Sequence, residues 1–352
     1  MRSLLRPHIG GIAEYTLEHR ECRIKLNQNE NPYDLPEEIR SEILRRVAAE
    51  HWSRYPEFVP SRQMAKVAAF TGWRADGVLL GNGSNDILQL LFACALDAGR
   101  GVVISQPTFT LYRLLAEALG APVRNVPMTR SFTVDADAVI EAVNTTDAAM
   151  LVLCSPNNPT GCQIPVPEVE RILKSTRALV VLDEAYVHFA GASAVQLLAR
   201  YERLVVLQTF SKAMGAAGLR FGYALLSPDL ARQLTKVKLP YSVNIFTLIA
   251  AEVFIDRWES LKSWIGALVS ERSRLFTALD AMEGIRPYPS DANFILFETL
   301  RRSPAEIFSA LLSRGILIRD VSRYPMLERG LRVSVGTPEE NTQFIDALGE
   351  VL

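Results

Sequence analysis

Apolar residues fall along this chain in short unbroken runs rather than in alternation. VLL (78–80), VVIS (102–105), MLVLC (150–154), LVVLD (179–183), LVVLQT (204–209) and YALLS (223–227) are each short, and amphipathic stretches separate them. Such runs mark strands buried on both faces of a mostly parallel sheet, with the intervening segments as covering helices. The pattern predicts an α/β domain. From Ser242 to about Met282 the periodicity turns helical for a long way, and NFILF (293–297), ILIRD (316–320) and LRVSV (331–335) follow with helices between them. That second pattern predicts a smaller α+β domain. Pro32 and Pro36 place a boundary near residue 40. Residues 41–255 are then the large domain, and residues 1–40 plus 256–352 an N-terminal arm joined to the small C-terminal domain. No repeat or low-complexity tract interrupts this plan.

With 352 residues, 49% of them hydrophobic and 22% charged, the chain can bury a large core. Its formal net charge of -1 gives no overall bias toward nucleic acid or an anionic membrane, so any anion must be caught locally. Cys22, Cys94, Cys154 and Cys162 lack C-x-x-C spacing, and His8, His19, His51 and His188 form no metal-ligand pattern. Free thiols in a reducing cytoplasm fit best, and no metal is expected. MRSLLRPHIGG is broken by Arg, Pro, His and Gly before an apolar core of a signal peptide develops, and no stretch approaches the length of a membrane span. A protein that is neither exported nor membrane-spanning is expected.

Four segments carry chemistry. GNGSND (81–86) lies between a strand and a helical run, which puts Ser84 and Asn85 at a helix N-terminus, where free N–H groups and the dipole favour phosphate. SPNNPTG (155–161) ends a strand in a rigid loop and projects Asn157 from the carboxyl edge of the sheet, where open α/β sheets bind ligands. LDEAYVHF (182–189) puts Asp183 on the same edge, a costly place for a carboxylate unless a cation or donors meet it. TFSKAMGAAGLRFG (209–222) surrounds Lys212 with hydroxyls, glycines and alanines that let a flat ligand approach the backbone. Each segment alone also reads as a turn, a cap or a surface charge. Together they supply what pyridoxal 5′-phosphate needs: an amine for its aldehyde, a carboxylate for its ring nitrogen, and N–H, hydroxyl and Arg donors for its phosphate.

The chain resembles fold-type I, aspartate-aminotransferase-like enzymes and is most similar to the histidinol-phosphate aminotransferase family. LNQNENPY (26–33), RYPE (54–57), GNGSND, SPNNPTG, LDEAYVHF, TFSKAMGAAGLRFGY and LRVSVGT (331–337) carry the resemblance, in the family's order, over nearly the whole chain. It implies that Lys212 binds the aldehyde covalently, that Asp183 partners the pyridine nitrogen, and that Asn157 and Tyr186 donate to the ring hydroxyl oxygen. Tyr112 would stack on the ring, and Ser84, Asn85, Thr209, Ser211 and Arg220 would hold the phosphate. Tyr55 would reach the phosphate of a neighbouring subunit, which makes the active form a homodimer. Arg332 would grip the distal anion of the substrate, with Arg319, Tyr15 and Asn29 as further substrate contacts and Arg323 an exposed loop charge. Where many relatives read G-S-D-E this chain reads Gly83-Ser84-Asn85-Asp86, which changes side chains beside the cradle but not its N–H groups.

The activity implied is amino transfer between L-histidinol phosphate and 2-oxoglutarate, one guanidinium pocket serving both a phosphate and a carboxylate. An aromatic amino-acid aminotransferase or a threonine-phosphate decarboxylase would use much the same cofactor residues. A ligand-sensing regulator would need a DNA-binding segment, for which the stretch ahead of the arm leaves no room. A nicotinamide enzyme would need an acidic ribose-binding position after GNGSND, and none follows.

Overall fold

The structure, a computed structural model, describes residues 4–13 and 20–352. Seven strands form the central sheet in the order Val78–Asn82, Phe221–Leu225, Leu204–Thr209, Leu179–Asp183, Met150–Cys154, Val102–Gln106, Val123–Pro127. Only Phe221–Leu225 runs antiparallel to its neighbours. Alternate residues of the unbroken apolar runs feed two cores. Leu151, Leu153, Val180, Leu182 and Val206 pack into one, while Met150, Val152, Cys154, Val181 and Leu207 pack into the other. Helices on both faces cover them, which is why these strands are mostly apolar on both faces.

In the central sheet the sequence pattern misses one strand. Val123–Pro127 sits at the sheet edge, pairs only with Val102–Gln106, and leaves Arg124 and Asn125 exposed. A solvated edge tolerates those side chains and the terminal proline, so the run lacks the apolar signature of its neighbours. The long helical stretch divides into Ile245–Asp256 and Trp258–Asp280 at Arg257, whose guanidinium bonds to Glu42. Ile245–Asp256 is buried nearly all round. Its buried acid, Glu252, is 1% exposed and is met by Arg62 and Gln63, the pairing that a buried carboxylate requires.

A four-stranded antiparallel sheet, ordered Arg319–Asp320, Gly330–Ser334, Phe294–Thr299, Ile285–Pro287, forms a separate layer. ILIRD does not make one strand: Ile316–Leu317 pairs in parallel with Ile24–Lys25 of the arm, and Arg319–Asp320 joins Gly330–Ser334. Buried Ile318 is the changeover between the two pairings. A third core holds these elements together. It also takes in Tyr186 and Ala213, so the loops around the sheet's carboxyl edge are packed against the arm and the smaller sheet.

Candidate active site

At that edge the structure encloses a cavity of about 430 Å³. Its cup is made by Gly83, at φ +80, which turns the chain from strand Val78–Asn82 into helix Ser84–Ala95 and leaves the N–H groups of Ser84 and Asn85 in the helix's first turn. A Cβ on Gly83 would lie 2.4 Å from Nη2 of Arg220, and one on Gly222 would lie 2.2 Å from the Ser84 nitrogen. Both glycines therefore let guanidinium and helix terminus close on one another. Arg220 holds a left-handed backbone at φ +57 and donates through Nη1 to Ser211 Oγ (3.2 Å) and the Ala217 carbonyl (2.9 Å). The Thr209 hydroxyl donates to the Phe221 carbonyl at 2.8 Å and accepts the Ser211 N–H at 3.1 Å. Hydroxyls, N–H groups and a fixed fork thus converge, the donor set of a phosphate site.

Asp183, the last residue of its strand, stands in register with Cys154 and is buried. Its Oδ2 accepts from the Tyr112 hydroxyl at 2.7 Å and its Oδ1 from the Ala185 N–H at 3.1 Å. Burial raises its pKa, against those two hydrogen bonds and the charge of Lys212. Lys212 Nζ donates to the Gln28 carbonyl at 2.9 Å and lies 5.9 Å from the Tyr186 ring centre. Burial, with the charge of Arg332 next in weight, brings its pKa down to about 8 against the pull of Glu30. Near physiological pH a minor fraction is then neutral amine, far more than for a free lysine. The Tyr186 hydroxyl accepts from Asn29 Nδ2 at 2.9 Å, and Asn29, itself at φ +55, is fixed through its N–H to Ser334 Oγ (2.8 Å). Arg332 is buried and donates to Asn158 Oδ1 (2.5 Å) and the Asn27 carbonyl (2.6 Å). Arg319 is its partner across the strand pair and lines the same cavity.

Most of the residues expected from sequence meet here, while Asn157 and Tyr55 do not. Asn157 does not line the cavity. It is 0% exposed, its Nδ2 donates to the Pro107 carbonyl (2.9 Å) and Thr160 Oγ1 (2.8 Å), and its Oδ1 accepts from Thr108 at 2.6 Å. Its amide is spent on bracing two loops. Asn158 lines the cavity instead. Tyr112 cannot offer a ring face as expected, because it is 0% exposed with its hydroxyl committed to Asp183. Phe109, partly exposed and set edge-on to Tyr112 at 5.6 Å, is the ring that lines the cavity with an open surface. Tyr55 lies outside the cavity, 80% exposed and stacked on Tyr241 at 4.5 Å. Tyr15 falls outside the described residues. Glu184, next to Asp183, is buried and structural: it accepts from Ser193 and from the Ala194 N–H. Sequence reading also passes over Tyr324 and Glu30, both on the cavity wall. Only a knowledge of which loops fold over the edge could have found them.

The family described as Aminotransferase class I and II matches residues 22–348. A curated histidinol-phosphate aminotransferase of Chlorobaculum tepidum is 38% identical over 347 residues, 98% of this chain and 99% of that protein. The solved histidinol-phosphate aminotransferase of Sinorhizobium meliloti, in complex with pyridoxal-5′-phosphate, superposes with a TM-score of 0.90 at 24% identity, covering 100% of this chain and 98% of that one. An L-threonine-O-3-phosphate decarboxylase of Porphyromonas gingivalis reaches a TM-score of 0.82 at 23% identity, covering 93% and 98%. Those two superpositions establish the fold. The chain belongs to the aminotransferase class I and II family, within it to the histidinol-phosphate aminotransferase family.

Proposed function

We propose that this chain is a pyridoxal 5′-phosphate-dependent aminotransferase that moves the amino group of L-histidinol phosphate to 2-oxoglutarate, a step in histidine biosynthesis. One observation carries the reading: the cavity holding the depressed-pKa amine of Lys212 also holds the buried carboxylate of Asp183, the donor cup at Ser84 and Arg220, and a pair of arginines at 319 and 332. The residues fit the cofactor. The cup that Gly83 and Gly222 permit suits its phosphate, Asp183 suits its ring nitrogen, Tyr186 and Asn158 suit its ring oxygen, and Phe109 suits its face. When bound, the cofactor supplies an aldehyde that takes up the substrate nitrogen and a heterocycle that draws electrons from the substrate α-carbon.

The chain's own residues do the rest. Lys212 Nζ, freed as a neutral amine, takes the proton from the substrate α-carbon and returns it elsewhere as general base and then acid. Gln28 holds that nitrogen in place through its carbonyl. Arg332, oriented by Asn158 and Asn27, binds the substrate's distal anion with Arg319 beside it, and a guanidinium accepts phosphate or carboxylate alike. Asn29 fixes the Tyr186 hydroxyl.

Residues 41–255 are the cofactor domain in this reading, and residues 1–40 with 256–352 the arm and small domain. The active form is a homodimer in which Tyr55 serves the neighbouring subunit's phosphate, and its place is the cytoplasm. Support for the dimer comes from Trp52, Tyr55, Phe58 and Leu239, large apolar side chains left exposed on this chain. Among the described residues no helix is long and apolar enough to cross a membrane. The test of substrate is a half-reaction: the cofactor-loaded protein is mixed separately with histidinol phosphate, phenylalanine, tyrosine or phosphothreonine, and the cofactor's absorbance is followed. Fast change with histidinol phosphate is expected. Failure there beside fast reaction with phenylalanine, or carbon dioxide release from phosphothreonine, would overturn the assignment.

A further inference from the structure

We propose that Tyr112 is a positioning residue for Asp183: its hydroxyl, 2.7 Å from Oδ2, keeps the carboxylate ionised and fixed in orientation, so that the proton shared with the cofactor's ring nitrogen stays on nitrogen. The inference rests on the reading of Asp183 as the ring nitrogen's partner and adds the group that makes a buried aspartate fit for that task. Asp183 is 4% exposed, and burial alone favours its neutral form. A neutral carboxyl against a neutral ring would be the cheaper pair in that setting. Two donors oppose this, the Ala185 N–H on Oδ1 and the Tyr112 hydroxyl on Oδ2. The backbone donor is present whatever the side chain, so Tyr112 is the adjustable one.

The surroundings make Tyr112 a permanent donor. Its ring is wholly buried in the first turn of helix Leu111–Leu119, packed edge-on to Phe109. Burial, and then the charge of Asp183, push its own ionisation far up, so it cannot lose the proton it donates. The other titratable groups near the carboxylate do not compete. Cys154, which also reaches the Tyr112 hydroxyl, and the Tyr186 phenol are kept neutral by burial, Glu184 is occupied by Ser193, Ala194 and Gln208, and Lys212 donates to Gln28. Each donor on a carboxylate lowers its proton affinity, which moves the shared proton toward the ring nitrogen. Removing Tyr112 moves it toward oxygen, and the ring then draws electrons less strongly.

The test loads the protein, Tyr112→Phe and Asp183→Asn with pyridoxal 5′-phosphate labelled with ¹⁵N in the ring and reads the nitrogen resonance. The cofactor dissociation constant of each is measured in parallel. The expected order is a protonated ring nitrogen in the native protein, a resonance displaced toward the unprotonated position in Tyr112→Phe, and the unprotonated position in Asp183→Asn. Cofactor affinity falls about tenfold in Tyr112→Phe. Replacing Tyr112 by 4-aminophenylalanine, which keeps a donor in the same place, restores the resonance and shows that lost packing is not the cause. A native resonance and affinity in Tyr112→Phe, beside a displaced resonance in Asp183→Asn, would overturn the role of Tyr112 and leave that of Asp183 standing. A native resonance in both variants would remove Asp183 as the partner, and this proposal with it.

Discussion

The floor of the cavity and the aromatic segment on the protein's flank contain similar residue types in opposite states. On the floor Tyr112 is 0% exposed, its ring packed and its hydroxyl bonded to Asp183. On the flank Tyr55 is 80% exposed, stacked on Tyr241, which Phe58 meets edge-on. The floor at Asp183 is finished within one chain, because the Tyr112 hydroxyl and the Ala185 N–H meet its carboxylate before any ligand arrives. The flank is not finished, and an aromatic cluster of that kind gains most of its burial from another surface. Chemistry is thus built into the single chain, while the proposed second copy completes cofactor retention. Changes on the floor should cost reaction rate, and changes on the flank should cost assembly and affinity.

The sharpest break comes from Lys212→Ala. Turnover should fall by at least about four orders of magnitude, since the proton-transfer group and the covalent anchor go together, while equilibrium dialysis still finds cofactor held through the cup at Arg220. Asp183→Asn comes next, with kcat lowered about a thousandfold and the fold intact by circular dichroism, because an amide can still accept from Tyr112. Arg332→Ala should raise KM about a hundredfold for histidinol phosphate and for glutamate alike, and Arg332→Lys should recover little of it, for lysine cannot fork between Asn158 and a ligand. A milder lever is pH. Lys212 titrates near 8, so covalent capture of the cofactor by the cofactor-free protein should slow about tenfold for each unit below that, as stopped-flow absorbance would record. The smallest effect belongs to the flank: Tyr55→Phe should weaken cofactor binding severalfold, about 1 kcal/mol for one hydrogen bond, with little change in kcat at saturation. A kcat loss in Tyr55→Phe as large as that in Asp183→Asn would erase the distinction between the two regions.

What could be read from the residues follows the same divide. MLVLC and LVVLD declare buried strands because both faces need apolar side chains, and Asp183 stands out as the polar residue that ends such a run. Gly83 and Ser84 announce a cradle through local geometry alone. Neighbouring candidates are harder. Asn157 and Asn158 are adjacent and chemically identical, and only the loop's path shows that the first braces Pro107 and Thr108 while the second meets Arg332. Phe109 and Tyr112 sit within one helical turn, so either could have faced the ligand. The contact between Tyr112 and Asp183 spans 71 residues, beyond the reach of any local pattern. Val123–Pro127 escaped because an edge strand need not look apolar.

The central claim is that the amine at Lys212 captures the cofactor. Borohydride reduction of the cofactor-loaded protein, followed by digestion and mass mapping, tests it most directly. A pyridoxyl group is expected on the peptide that contains Lys212 and none on the other lysines. A label on another lysine, with Lys212 unmodified in protein that turns over normally, would contradict it.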